Sequence, residues 1–460
     1  MNGTDLTPWN AIGRKIAAHN SAELTAFHTG KTEAPNLAED TRSPALAEAV
    51  LAEVIALNKA GKGGTARDIY DPAHAPFIPQ MEREGHRGLS FCAVLDKNRF
   101  LVQQGTSWTA NTTWLIDGDQ IDKAPPLAAF AWSRNRQHFL SVLPDGSLTV
   151  APRYGALPTD TIPALPGTAF VPPDLPANRV NYYPPPDDRA AYNQIAISDD
   201  GKTILLVCAL RGICCLRKSA KGWQTELLYP STLLGLIDDM DFWIDDGEIF
   251  SPSFKMIHAA LSPDGRYVAL GTQMSPHYIL DLSDPTATGL HANLGNLSEY
   301  PHNASFDGTG AAIALNSCHF YNGVTFAADM AAVKGKSTVQ WQKDPLQTIL
   351  NDYLRVYASG WLPATMTQGH KGAFLLAGSS YATCVTPSGE VIWEIQFGSS
   401  AGGVDICPTT GRILIASHSG MLHLLDPSAS ASPPAMSGYN TPIERLRWVF
   451  WDYLPTPLIW

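Results

Sequence analysis

Four histidines lie close together in the middle of the chain: His258, His277, His302 and His319. Imidazole is a common protein ligand for transition metals, so His258, His302 and His319 are candidate ligands of a metal at a shared mouth. The competing reading is that they satisfy polar groups where neighbouring elements meet. No His-x-x-x-His or Cys-x-x-Cys spacing supports a local metal motif. Cys318 and His319 are adjacent, and neighbours in a strand point to opposite faces, so they do not read as a nucleophile with its base. Asp238, Asp239, Asp241, Asp245, Asp246 and Glu248 crowd one stretch. No frame there places a glycine sixth and a glutamate twelfth, as a calcium-binding loop requires, and it reads as a solvated acidic loop. There is no Gly-x-Ser-x-Gly elbow, phosphate loop or dinucleotide fingerprint. No catalytic residue and no cofactor site is expected. A fourth group is aromatic: Trp448, Phe450, Trp451 and Trp460 fall within the last thirteen residues. Left in water they would invite association, so they either pack on the protein itself or form a contact surface for a partner.

The elements that must position these residues follow from a recurring phrase. An apolar run, a turn built on Asp-Gly or a variant, and a second apolar run appear at Gln194–Val207, Ala259–Leu270, Ala304–Leu315 and Val404–Ala416. Asp-Gly between apolar runs signals a hairpin, because both turn positions favour positive φ. Hairpins returning every roughly 40–65 residues signal a repeat architecture. Seven candidate units of short strands run from Leu89 to Leu425. A lone four-stranded sheet cannot bury both faces, whereas sheets packed radially bury each other, which gives a β-propeller.

Residues 1–85 differ. Ser43-Pro44 starts a helix whose Leu46, Val50, Val54 and Leu57 recur at helical spacing, with shorter helices expected over Trp9–Ala18 and Ala22–His28. Two stretches interrupt the strand series: the proline-rich 152–186 and the acidic 231–255, both expected as peripheral excursions. A net charge of −11 without a basic cluster argues against nucleic acid as partner. Seven irregularly spaced cysteines read as free thiols, no run approaches the roughly 18 apolar residues of a membrane span, and the first residues carry no secretory pattern. The expected compartment is the cytoplasm.

The units of type apolar–Ser–Pro–Asp–Gly–x–x–apolar resemble the repeats of WD40-type and YVTN-type β-propellers, and Thr386–Glu394 resembles the blade motif of quinoprotein-like propellers. The tail from Arg445 to Trp451 and Pro457 to Trp460 is similar to that of uncharacterised bacterial propeller proteins. The resulting expectation is all-β: a helical arm or cap over 1–85, a seven-bladed propeller over 88–430, and an aromatic segment, 431–460, packed on it. The expected function is a non-catalytic platform for another protein. The alternatives are a propeller hydrolase or lactonase with a metal at the channel mouth, and a small-ligand sensor.

Overall fold

A computed structural model describes residues 5–28, 31–105, 111–165, 192–208, 212–236, 244–245, 248–249, 256–273, 275–284, 287–320, 322–429 and 443–460. The chain begins with helix α1 (Pro8–His28), which is one continuous helix rather than the two short ones expected. Asn20 does not break it. Its side chain instead binds the returning strand of chain, accepting from Ala38 N at 2.7 Å and donating to Ala38 O at 3.1 Å. Helix α2 (Pro44–Lys59) starts as the sequence implies: the Ser43 hydroxyl accepts from Leu46 N at 3.3 Å and Pro44 occupies the first turn. Its buried stripe of Leu46, Ala47, Val50, Leu51 and Val54 packs with Trp9 and Phe77 against Met421, Val449, Trp451 and Trp460.

The rest is a β-propeller-like arrangement of small antiparallel sheets. The first holds β1 (Leu89–Val94), β2 (Arg99–Gln104), β3 (Thr112–Asp117) and β4 (Gln120–Lys123). The second holds β5 (Ala129–Trp132), β6 (Phe139–Val142), β7 (Leu148–Ala151) and β8 (Asp160–Ile162). The third holds β9 (Tyr192–Ile197), β10 (Thr203–Cys208), β11 (Gly212–Ser219) and β12 (Gly222–Tyr229). A two-stranded hairpin, β13 (Ile244–Asp245) and β14 (Glu248–Ile249), follows. The fourth sheet holds β15 (His258–Leu261), β16 (Tyr267–Gly271), β17 (His277–Asp281) and β18 (Gly289–Leu294). The fifth holds β19 (Tyr300–Phe306), β20 (Ala312–His319), β21 (Asn322–Asp329) and β22 (Thr348–Asn351). The last sheet has seven strands: β23 (Val356–Pro363), β24 (Gly372–Val385), β25 (Val391–Cys407), β26 (Arg412–Ser417), β27 (Met421–Leu425), β28 (Glu444–Val449) and β29 (Leu458–Ile459).

The seven separate blades expected from the repeats are therefore corrected to five four-stranded sheets and one of seven strands. The cause lies in β25. This 17-residue strand pairs with β24 as far as Ser400 and with β26 from Ala401 onward. The strand passes from one partner to the next without ending, although Phe397–Val404 carries Gly398 and the Gly402-Gly403 pair. Two further boundaries move. Asp160–Ile162, inside the proline-rich stretch, pairs with β7 as a short edge strand between Pro158 and Pro163, where proline is tolerated; residues 166–186 of that stretch lie outside the described residues. The acidic stretch contributes helix α3 (Ser231–Leu236) and the β13–β14 hairpin, and its other positions up to 255 lie outside the described residues.

Seven strands, β1, β5, β9, β15, β19, β23 and the second half of β25, stand side by side around a central channel. The ring closes where β25 meets β1. An ideal Cβ on Gly402 would lie 1.8 Å from Leu89 O, and one on Gly403 would lie 2.2 Å from Ser90 O, so only glycine permits this approach. The C-terminal segment supplies β28 and β29 to the last sheet, and Trp448, Phe450, Trp451 and Trp460 are all buried. Trp460 stacks on Trp9, meets Phe77 edge-on and donates its indole N–H to Tyr70 O at 2.8 Å. Trp460→Ala is expected to cost about 3–5 kcal/mol, as truncations of buried tryptophan do. A urea denaturation midpoint within error of wild type would contradict this.

Candidate functional site: the central channel

The inner strands begin at one end of the channel, here the upper, and finish at the lower end in their hairpin turns. Between the ends lies a cavity of about 700 Å³. Its size suits a small organic molecule.

At the upper end His258, His302, Tyr357 and His418 line the cavity. The Nδ1 of His258 lies 3.1 Å from Met256 O, and a carbonyl only accepts, so Nδ1 carries the proton. Its Nε2 is therefore a bare lone pair, buried and without a partner. Burial holds this imidazole neutral, with a pKa lowered to about 4. The ring fits because residue 271 is glycine: an ideal Cβ there would lie 2.9 Å from His258 Cε1. His302 has the same tautomer, with Nδ1 2.6 Å from Val356 O. Its Nε2 accepts from the Arg355 guanidinium at 2.9 Å and 3.2 Å. Burial and then the Arg355 charge lower its pKa to about 3. Tyr357 stands edge-on between the His302 and His418 rings, at 5.1 Å and 6.0 Å.

At the lower end the hairpin turns share one chemistry. Ser198 donates its hydroxyl to Asp200 at 2.7 Å and accepts from Thr203 N at 2.9 Å, while Gly201 takes φ +69°. Ser262, Asp264, Tyr267 and Gly265 repeat this. The second sheet makes the same turn with different residues. Ser133 donates to Asn135 at 2.8 Å, accepts from His138 N at 3.0 Å, and Arg136 holds the left-handed position at φ +61° where the others have glycine. Arg136 grips Asp405 through both guanidinium nitrogens, at 2.9 Å and 2.8 Å, and donates to Ile406 O. Asp405 also accepts from Val94 N at 2.6 Å, so this matched pair ties the second sheet to the closure of the ring. Arg134 reaches across the channel and donates to Phe306 O at 3.0 Å.

The metal candidates are not brought together. His319 sits on the exposed β20–β21 hairpin, bonded to Glu299, and both ring nitrogens of His302 are engaged. Only His258 and His302 share the channel. Among the described residues no group of three His, Cys, Asp or Glu side chains could hold a metal ion. His277 lies behind His258, ring centroids 5.9 Å apart, fully buried with neither nitrogen partnered. The aromatic candidates Trp448, Phe450, Trp451 and Trp460 sit in the core rather than on the surface. Sequence reasoning missed Arg134 and Arg136. The signal was there: the second unit places arginine at two turn positions occupied by Asp199 and Gly201 in the third and by Pro263 and Gly265 in the fourth.

Among the described residues no helix is long and apolar enough to cross a membrane. Comparison with protein-family models finds no match along this chain, and no curated protein sequence matches it.

Proposed function

We propose that the protein binds a small organic ligand in its central channel, as a sensor or carrier rather than a catalyst. The observation that carries this reading is the cavity of about 700 Å³ lined by His258, a residue whose buried Nε2 has no partner. A buried polar group left unsatisfied costs about 1–3 kcal/mol, and a ligand N–H or O–H would relieve that cost. The neutral, low-pKa imidazoles suit hydrogen bonding better than proton transfer near pH 7. The seven cysteines are all free thiols, which fits the cytoplasm expected from their spacing. The likeness of the Ser–Pro–Asp–Gly turns to WD40-type repeats supports an origin among such propellers and chooses no activity.

A ligand-observed NMR fragment screen tests the reading. Hits are expected to compete with one another and to bind about tenfold or more weakly to His258→Phe, which keeps the ring and removes the acceptor. Hits indifferent to that substitution, or a screen without hits, would overturn it.

A second reading, the interaction platform, is favoured by a different observation. Phe320 and Trp341 are 67% and 69% exposed and both take left-handed backbone, φ +48° and +59°. Exposed aromatics held by strained backbone suit a protein contact.

A further inference from the structure

We infer that the group recognised at the lower end of the channel is a carboxylate, borne by a ligand that offers a hydrogen-bond donor to His258 at the upper end. This rests on the channel being the binding site and adds the chemistry of what it takes.

Two donors at the lower end lack acceptors. Arg134 lines the cavity, and its Nη1 is buried with no partner, although Nη2 is satisfied by Phe306 O. Trp132 lines the same cavity, and its indole N–H is buried with no acceptor. Guanidinium and indole can only donate, so what completes them must accept. The charge is also incompletely matched. Asp199 and Asp307 favour the Arg134 cation from a distance, yet their oxygens are engaged by hairpin turns: Asp199 accepts from Asn135 N of the neighbouring turn at 2.8 Å, and Asp307 accepts from Thr309 N and Ala311 N of its own at 3.1 Å and 2.9 Å. Burial outweighs both and lowers the guanidinium pKa to about 10. Arg136 and Asp405 neutralise each other. Arg134 is thus the arginine of this end with no carboxylate hydrogen-bonded to it, and its Nη1 still needs an acceptor. A carboxylate supplies two acceptor oxygens, in the geometry a guanidinium fork matches. A dianion such as phosphate would add a second charge beside Asp199 and Asp307. The repeat explains how the site arose: the turn position held by Asp199, Pro263 and Gly308 in the next three sheets carries Arg134 in the second.

Formate and its neutral isostere formamide are the probes, with ionic strength held constant by chloride and the thermal midpoint as readout. The wild-type midpoint is expected to rise saturably with formate and to ignore formamide. Arg134→Gln should shift half-saturation by formate at least tenfold upward, and Trp132→Phe severalfold. Equal responses to the two probes, or an undiminished formate response in Arg134→Gln, would overturn the inference. A stronger response to inorganic phosphate than to formate would overturn the choice of carboxylate. Should Arg134→Gln not fold, Trp132→Phe carries the same comparison. Fragment hits that need His258 alongside a formate response indifferent to Arg134 would remove the carboxylate and keep the channel. Indifference to both residues would remove both.

Discussion

Glu444→Ala is expected to destabilise the protein by about 3–5 kcal/mol, the cost of stranding buried charges by deleting their partner. Glu444 accepts from Arg447 at 3.0 Å and 3.2 Å, from Arg67 at 2.9 Å, and lies 2.7 Å from His423 Nδ1. Glu444, Arg447 and His423 are each under 10% exposed. Burial alone would raise the Glu444 pKa, but Arg447 and then Arg67 hold it well below the usual carboxylate range. Its removal takes this carboxylate away from both guanidinium groups. The loss is also architectural, because Arg67 belongs to the N-terminal helical segment and Glu444 to β28. Arg447 reaches the same segment by donating to Ala73 O at 3.5 Å. Limited proteolysis should therefore cut the N-terminal segment faster in Glu444→Ala than in wild type. Glu444→Gln, which keeps the shape and loses the charge, should fall between them. A loss under about 1 kcal/mol in urea would show that the network is not what docks the segment.

The sequence exposes features that depend on local chemistry and hides those that depend on chain continuity. The Ser198 and Ser262 turns were legible because Asp and Gly must occupy fixed places in them. The Ser43 cap was legible because Pro44 follows it. The union of the last two strand units was not, since Gly398 and the Gly402-Gly403 pair inside residues 397–404 read as a break between units. The extent of the last sheet was hidden for another reason: β28 and β29 lie beyond residues 430–442, and the aromatic residues there indicate a packed segment without indicating that it adds strands. At the channel, His258 was legible from its place before an inner strand. His319 was misleading, because one residue of register separates the end of β20 from an exposed hairpin. Arg134 and Arg136 escaped because the Asp-Gly pair of the second sheet, Asp145-Gly146, lies in its second hairpin, between β6 and β7. The inner hairpin is Ser133–His138, with arginine in the place of glycine.

Acidification from pH 6.5 to 4 is expected to unfold the protein, and buried histidines set the window. His258 and His74 have pKa values lowered to about 4 and His302 to about 3, while His277 is lowered well below its ordinary value. Burial is the largest cause in each. Arg355 and His258 add to it at His302, Arg447, His423 and His86 at His74, and His258 at His277. In the unfolded chain these imidazoles titrate near 6.5. Between 6.5 and the folded values the unfolded state binds more protons, so stability rises with pH in that window. The contribution is fully present above pH 6.5 and is lost as pH falls through it. Each group loses about 1.4 kcal/mol per pH unit. For three or four groups over one to two units the loss reaches several kcal/mol, which is comparable to the whole stability of a typical domain. His258→Phe should reduce the slope by the share of one group, provided the ring packs in the space Gly271 leaves. Urea unfolding at pH 7 and at pH 5 reads the difference directly. Equal free energies at the two values would mean that these imidazoles take up protons in the folded state, and that the upper end of the channel is wetter than its geometry implies.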